Sequence, residues 1–271
     1  MTIPTITSID IQRDCERIRH EKPLVHNITN FVVMEQTANA LLALGASPIM
    51  AHAEEEVETL AAHAGCLVLN IGTLSTPWLK SMELAQIAAK KNKRPIVIDS
   101  VGAGATELRT HAAQAILEHG GITAIRGNAS EIAALAGSGG TTRGVDSTLE
   151  SDRITQEAST LAKQYDCIVI VSGAKDLVTN GVHTCMMEHG DAWMSRVTGM
   201  GCTATALLGA FLAVNEDAFR AAIHATLFMG LAGEWAHKSG LGLGSTKVAF
   251  IDVLGDPQEQ AFPKILRYSW A

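Results

Sequence analysis

Short apolar runs alternate along the chain with longer segments whose apolar positions recur at helical spacing. The apolar runs predict six strands: Leu24–His26, Ser47–Ala51, Cys66–Ile71, Pro95–Asp99, Ile122–Arg126 and Cys167–Ser172. The segments that separate them predict six helices: Phe31–Leu44, Glu54–Ala64, Pro77–Lys91, Glu107–Glu118, Ser130–Ala136 and Leu149–Gln164. This regular alternation of strand and helix indicates an α/β fold.

The apolar runs at residues 66–72 (CLVLNIG) and 96–99 (IVID) show no alternation of polar and apolar positions. Strands of this kind are buried on both faces, which is typical of a parallel sheet covered by helices. We therefore expect a three-layer α/β/α sandwich with a mostly parallel central sheet.

The pattern changes after Ser172. Asp176–Thr179 and His183–Met187 flank an Asn-Gly pair, which supplies the positive φ values of a tight turn, so this stretch predicts a β-hairpin. Trp193–Val197 is predicted as another short strand, and Gly137–Gly144 (GSGGTTRG) as a mobile surface loop. The remainder predicts helices over Cys202–Val214 and Glu216–Ser239 and a last helix after Ser245.

Composition and charge narrow the class of protein. Of the 271 residues, 47% are hydrophobic and 18% charged, which indicates a globular chain, and no shift in composition divides residues 1–271 into more than one domain. With 21 basic and 28 acidic residues the net charge is −7, and there are only 6 Phe, 4 Trp and 2 Tyr. Nucleic-acid binders carry clustered basic side chains and aromatic stacking platforms, so we expect no nucleic-acid partner.

The five cysteines are scattered and include no CxxC pair, so zinc-ribbon and thioredoxin-like chemistry is not indicated. Cys66 and Cys167 each begin an apolar run and are expected to be reduced core thiols. The first residues lack the pattern of a signal peptide, which predicts a cytoplasmic protein. The longest uncharged stretch, Val197–Asn215, contains three glycines and three threonines, and we expect no membrane span.

Residues at the carboxyl ends of the strands are the first candidates for a site, because ligands of open parallel sheets bind there. Asp99 ends one run and precedes a loop with Gly102 and Gly104, whose backbone N–H groups can approach an anion. Arg126 ends the next run, and its planar guanidinium suits phosphate. The alternatives are a plain turn for the glycine loop, a helix N-cap for Asn128 or Ser130, and a first-turn helix charge for Glu131.

The segment that indicates a ligand site most specifically is Thr198–Thr203 (TGMGCT), which places two glycines directly before an apolar helix. Free N–H groups and the positive end of the helix dipole make such a start an anion site that suits a transferring phosphoryl group. Cys202 would lie near this helix N-terminus, where thiol pKa values fall. The alternative is a glycine-rich helix entry with a packed thiol. No GxxxxGK[ST] motif is present, so a P-loop is not indicated.

Together these segments resemble the hydroxyethylthiazole kinase family of the ribokinase-like superfamily. Val25–Glu56 is similar to the N-terminal block of the family, and Arg126–Ile132 (RGNASEI) resembles its nucleotide and metal motif, with N-x-x-E at Asn128 and Glu131. Thr198–Cys202 (TGMGC) resembles its anion hole, with a cysteine where most superfamily members carry a catalytic aspartate. The order and spacing match from about residue 15 to residue 255.

The resemblance implies ATP-dependent phosphorylation of the primary alcohol of 4-methyl-5-(2-hydroxyethyl)thiazole, with Mg²⁺, in thiamin biosynthesis or salvage. It also implies a homotrimer whose thiazole pockets lie between neighbouring subunits. The implied roles are thiazole binding by Met50, Asn30 and Gly199, binding of ATP phosphates by Arg126 and Ser172, metal association, direct or through water, by Asp99 and Glu131, an anion hole at Gly199, Met200, Gly201 and Cys202, and catalysis by Cys202.

Other activities remain open on the sequence alone. The superfamily includes kinases for hydroxymethylpyrimidine and pyridoxal, and an ATP-dependent dehydratase of similar architecture that releases ADP and phosphate without forming a phosphorylated alcohol. A nucleotide sensor that binds ATP without turnover is the alternative from another functional class.

Overall fold

The uninterrupted apolar runs form the centre of one sheet, as predicted. A computed structural model describes residues 5–137, 147–256 and 262–271, and these ranges contain nine strands. The strands are β1 (Leu24–Ile28), β2 (Ser47–Ile49), β3 (Cys66–Asn70), β4 (Ile96–Asp99), β5 (Ala124–Asn128), β6 (Ile168–Ser172), β7 (Asp176–Thr179), β8 (Thr184–Met187) and β9 (Tyr268–Trp270).

Strand order in the sheet is β2-β1-β3-β4-β5-β6-β7-β8-β9. The first six strands in this order are parallel, and β7, β8 and β9 continue the sheet in antiparallel pairs. The predicted hairpin is confirmed: the side chain of Asn180 accepts hydrogen bonds from the backbone N–H groups of Val182 and His183, and Gly181 has a φ of +83°. All six predicted parallel strands are present as well.

Helices cover both faces of the sheet. They are α1 (Ser8–Glu21), α2 (Met34–Leu44), α3 (Val57–His63), α4 (Thr76–Lys91), α5 (Glu107–His119), α6 (Ala129–Leu135), α7 (Ser147–Tyr165), α8 (Met200–Val214), α9 (Ala218–Ser239) and α10 (Leu243–Gly255). Helices α1, α2, α8, α9 and α10 pack on one face, and α3 to α7 pack on the other. The expected three-layer α/β/α sandwich is confirmed.

Alternate residues of each central strand enter separate cores. In β3, Cys66 and Val68 face the core beneath α8, whereas Leu67 and Leu69 face the core beneath α4. This period of two leaves no polar face on the strand, which explains why its sequence shows no alternation.

The predicted strand at Trp193–Val197 is wrong. Residues Ala192–Arg196 form a 3₁₀ helix that Asp191 caps by accepting a hydrogen bond from the N–H of Trp193. The indole Nε1 of Trp193 donates to the carbonyl of Gly233 in α9, 3.0 Å away, so a tertiary contact sets this conformation. Of the predicted loop Gly137–Gly144, residues 138–144 lie outside the described residues.

The two ends of the described chain meet. The backbone N–H of Ile6 donates to the hydroxyl of Tyr268 in β9, 3.0 Å away, and the hydroxyl of Ser8 donates to the carbonyl of Pro263. Helix α1 and strand β9 were not predicted from the sequence. Both pack against the core that lies beneath α8 and α9.

Among the helices that the structure describes, none is both long enough and apolar enough to cross a bilayer. All five cysteines are free thiols, and every one except Cys202 is buried.

Candidate functional site

Five of the proposed site residues lie along one edge of the sheet, in the order of its strands. Met50 directly follows β2, Asn30 lies two residues after β1, Asp99 ends β4, Arg126 lies in β5 and Ser172 ends β6. The carboxyl ends of parallel strands share an edge, so the fold brings together residues that are far apart in the sequence. With about 4.8 Å between neighbouring strands, the row from β2 to β6 spans roughly 24 Å.

The expectation that Arg126 ends its strand needs a small correction, since β5 continues to Asn128. Arg126 still reaches the edge, because its Nη1 donates to the carbonyl of Gly201 at 3.0 Å. The hydroxyl of Ser172 donates to the carbonyl of Gly127 at 3.3 Å. Hence Arg126 joins β5 to the start of α8, and Ser172 joins β6 to β5.

Helix α8 begins over the middle of this edge. Gly199 is its N-cap residue with a φ of +91°, and a Cβ at this position would lie 2.8 Å from Cγ1 of Val33. No side chain caps the helix in the described structure, so the N–H groups of its first turn remain available to an anion. The Met200 side chain turns into the core, where its Sδ lies 3.7 Å from Nε2 of Gln36, so of Met200 only the backbone N–H is directed to the helix start.

Asp99 lies buried beneath this helix. Its Oδ2 accepts hydrogen bonds from Nδ2 of Asn70 and from the hydroxyl of Thr205 in α8, both at 2.8 Å. Burial raises the pKa of Asp99 to about 6, and the positive charge of Arg126 and the hydrogen bond from Thr205 limit the rise. The carboxyl group is thus held in place and mostly ionised at neutral pH.

Cys202 lies in the first turn of α8, as predicted, but the expected fall of its thiol pKa is wrong. Burial raises the pKa of Cys202 to about 11, and the negative charge of Asp99 adds to the rise. Hydrogen bonds from Asn70 and Asn30 oppose this, and Nδ2 of Asn30 lies 3.4 Å from Sγ. Desolvation and a neighbouring carboxylate therefore outweigh the helix N-terminus, and the thiol is neutral at pH 7.

Glu131 joins two loops at the same edge. Its Oε2 accepts from the N–H of Asn128 at 2.7 Å, and its Oε1 accepts from the N–H of Gly102 at 2.8 Å. Asn128 in turn accepts from the N–H of Glu131, so the two residues form a capping box at the start of α6. The N-cap interpretation of Asn128 is therefore confirmed, and Glu131 also fixes the glycine loop after β4.

The carboxylates of Asp99 and Glu131 are compatible with Mg²⁺. In the described ranges, no group of three or more His, Cys, Asp or Glu side chains could hold a metal by itself. Magnesium is usually held by one or two carboxylates together with water and substrate phosphates, so a complete protein cage is not required. Glu131 contributes negative charge near Asp99 that raises the pKa of Asp99, as expected for two neighbouring acidic groups.

Asn70 and Thr205 belong to the site although neither was predicted. Asn70 ends β3 and links Asn30 to Asp99, and Thr205 fixes Asp99 from the helix side. The one available signal was that Asn70 is the single polar residue inside the apolar run Cys66–Ile71. Met50 is half-buried and lies at the outer end of the row, after β2.

Comparisons with known proteins cover nearly the whole chain. The profile of the hydroxyethylthiazole kinase family matches residues 15–259. The chain is 51% identical over 241 residues to hydroxyethylthiazole kinase of Leptospira biflexa, covering 89% of this chain and 90% of that one. It is 49% identical over 247 residues to hydroxyethylthiazole kinase of Desulfotalea psychrophila, covering 91% and 90%.

Solved structures give the same result. The structure of hydroxyethylthiazole kinase from Pyrococcus horikoshii is similar with a TM-score of 0.89 and 40% identity, covering 97% of this chain and 99% of that one. Pyridoxal kinase from Staphylococcus aureus is similar with a TM-score of 0.60 and 16% identity over 78% of this chain and 88% of that one, a likeness of fold alone. The match along nearly the whole length, in sequence and in structure, shows that the chain belongs to the hydroxyethylthiazole kinase family.

Proposed function

We propose that the carboxyl edge of the sheet transfers the γ-phosphoryl group of ATP to the primary alcohol of 4-methyl-5-(2-hydroxyethyl)thiazole, in thiamin biosynthesis or salvage. The observation that carries this proposal is the position of the start of α8, with its available N–H groups, between Arg126 on one side and Asn30 on the other. Family membership supplies the reaction, a phosphate transfer to hydroxyethylthiazole.

The two substrates bind at opposite ends of the row of site residues along this edge. Arg126 and Ser172, on β5 and β6, bind the phosphates of ATP, and the guanidinium fork of Arg126 suits them. Met50 and Asn30, on the side of β2 and β1, together with Gly199, bind the thiazole alcohol. The phosphoryl group then passes beneath the first turn of α8, whose N–H groups stabilise its charge.

Asp99 and Glu131 would hold Mg²⁺, directly or through water, and the ion would neutralise charge on the polyphosphate. Asp99 is oriented for this by two hydrogen bonds to one oxygen, and Glu131 by two backbone N–H groups.

Cys202 orients the alcohol, and its thiolate form, a small fraction at pH 7, accepts the alcohol's proton and becomes the neutral thiol. Because burial and Asp99 raise the thiol pKa to about 11, this proton transfer contributes little before the phosphoryl group has moved, and the thiol returns the proton to solvent before the next cycle. A loose transition state requires little base strength, since positioning and charge neutralisation provide most of the rate acceleration. This explains how a cysteine can stand where a carboxylate is usual.

We also propose that the protein forms homotrimers with the thiazole pocket at the subunit boundary. Phe31 and Val32, which directly follow Asn30, are 64% and 66% exposed, so an apolar surface lies at the mouth of the thiazole pocket. The mass in solution, measured by light scattering, should be three times the 28.7 kDa of the chain.

We place the protein in the cytoplasm, where ATP is available and free thiols stay reduced.

The experiment that tests the function measures ADP release by the purified protein with Mg²⁺ and ATP, with and without the thiazole alcohol. We expect release to depend on the alcohol and to match formation of the phosphorylated alcohol by mass spectrometry. ADP and phosphate without this product would indicate the dehydratase activity, and ATP binding without turnover would indicate a sensor.

A further inference from the structure

Asn70 occupies the centre of the site but touches neither substrate in the proposed arrangement. It is 1% exposed and ends β3, where it is paired in register with Asp99 of β4. Its amide is therefore beside the buried carboxylate, on the strand between Asn30 and Asp99.

The network of hydrogen bonds fixes the amide in one orientation. Oδ1 of Asn70 accepts from the N–H of Gly72 at 2.9 Å and from Nδ2 of Asn30 at 2.8 Å, and Nδ2 of Asn70 donates to Oδ2 of Asp99 at 2.8 Å. A rotated amide would turn its NH₂ toward two donors and its oxygen toward a carboxylate. Asn70 can satisfy Gly72, Asn30 and Asp99 in this orientation alone, and the hydrogen bond from its amide to the thiol of Cys202 requires the same orientation.

Each neighbour of Asn70 is itself tied to α8. Asn30 uses its second amide proton toward Sγ of Cys202, and Asp99 accepts a second hydrogen bond from Thr205. One amide thus links the side of the site that binds the alcohol to the side that carries the carboxylates.

We propose that Asn70 is a positioning residue, which holds Asn30 and Asp99 in a fixed relation so that the alcohol oxygen is aligned with the transferring phosphoryl group. This rests on the proposed phosphoryl transfer and adds a role that the sequence motifs do not assign. Alignment is required in the transition state more than in either bound substrate, so loss of Asn70 lowers kcat and leaves both KM values nearly unchanged.

The test compares Asn70→Ala with Gln86→Met. Gln86 is an equally buried amide remote from the edge, whose Nε2 donates to the carbonyls of Ile116 and Gly120, so its loss reports on stability alone. We expect Asn70→Ala to lower kcat about 10- to 100-fold, with KM values for ATP and the alcohol within about threefold of the original. Gln86→Met should lower the melting temperature and leave kcat unchanged.

Asn70→Ser covers the case in which the alanine variant fails to fold. It keeps a polar side chain at the end of β3 but is too short to reach both Asn30 and Asp99, so kcat should fall in the same way. Unchanged kcat in a folded Asn70 variant, or a rise of KM for the alcohol at constant kcat, would overturn the proposal.

A double-mutant cycle with Asn30→Ala tests whether Asn70 acts through Asn30. The double variant should lose clearly less activity than the product of the two single losses. Both substitutions remove the same alignment of the alcohol oxygen, so the second one has little left to remove. Strictly multiplicative losses would show that the two amides act separately and would refute the link. The original protein is the control for the function itself: if it forms no phosphorylated alcohol, the proposed function fails first and the role of Asn70 falls with it.

Discussion

The pKa of the Cys202 thiol is set by its buried surroundings and not by its position at the start of α8. A thiol in the first turn of a helix usually ionises more readily, yet burial and the charge of Asp99 raise its pKa to about 11. The thiolate that can accept the proton is therefore scarce at pH 7, and the side chain at this position should control the rate.

Substitution of Cys202 tests this directly. Cys202→Asp should keep or raise kcat, because a carboxylate is a stronger base at neutral pH than a neutral thiol. Cys202→Ala and Cys202→Ser should both lower kcat, by less than the roughly 10²–10⁴-fold that a fully ionised base contributes. The measurements are kcat and melting temperature for the three variants. Full activity of the alanine variant together with unfolding of the aspartate variant would make Cys202 a packing residue only.

Arg126 provides a second prediction at this scale. Arg126→Ala should weaken the use of ATP far more than the binding of the thiazole, because a lost charged hydrogen bond to phosphate costs about 1.5–3 kcal/mol. Arg126→Lys, which keeps the charge without the planar fork, should recover part of the loss. Steady-state KM and kcat for ATP check both variants, and unchanged values for Arg126→Ala would remove this residue from the site.

Individual residues differ in how far the sequence could predict them. Arg126, Asp99 and Ser172 end or nearly end apolar runs, and the edge of a parallel sheet brings such residues together. Asn70 lies inside an apolar run, and its role depends on the amide of Asn30 beside it, which only strand order reveals. The rise in the pKa of Cys202 likewise depends on the burial of its surroundings, which no local pattern encodes.

At the scale of elements, the junction between Gly199 and α8 is the most constrained feature. Gly199→Ala should destabilise the protein by about 1–3 kcal/mol, because the residue has a φ of +91° and a Cβ would lie 2.8 Å from Val33. Displacement of the first turn should also lower kcat. Urea unfolding and kcat measure the two effects.

Gly244→Ala is the matched control for this prediction. Gly244 lies in α10, where no atom is within 4 Å of an added Cβ, so alanine should stabilise the helix by up to about 1 kcal/mol and leave kcat unchanged. If Gly199→Ala were equally harmless, the conformation of this junction would not matter to the site.

Elements with their own local signal were predicted well, and those that depend on distant partners were not. The six parallel strands carry uninterrupted apolar runs, and the hairpin carries an Asn-Gly turn. The 3₁₀ helix at Ala192–Arg196 depends on a contact between Trp193 and α9, and β9 exists only because β8 offers it an edge. Helix α1 did have a signal, the capping box of Thr7 and Asp10, which the sequence interpretation missed.

At the scale of the whole molecule, the buried carboxyl of Asp99 couples stability to pH. Its folded-state pKa of about 6 lies above the 3.8 of an exposed aspartate, so the folded protein binds this proton more tightly. This contribution is fully present below about pH 3.8 and is lost as pH rises through about 6, at a cost of roughly 3 kcal/mol.

Asp99→Asn removes this dependence. In buffer with a metal chelator, the variant should gain free energy of unfolding relative to the original protein as pH rises from 4.5 to 7.5, while its kinase activity is lost. Urea unfolding at the two pH values measures the gain. Asp252→Asn, at an exposed position of α10, is the control and should show no such trend. An equal gain at both pH values would contradict the raised pKa of Asp99.

The packing of α1 against α8 and α9 bears on the order in which parts of the chain are secured during translation. The six parallel strands lie between α1 and these two helices in the sequence, so they can pair before the surface on which α1 packs has been made. We expect a nascent chain arrested before Met200 to be cut by protease within Ser8–Glu21 but protected over the parallel strands. Helix α1, which is synthesised before every strand of the sheet, would then be secured after them.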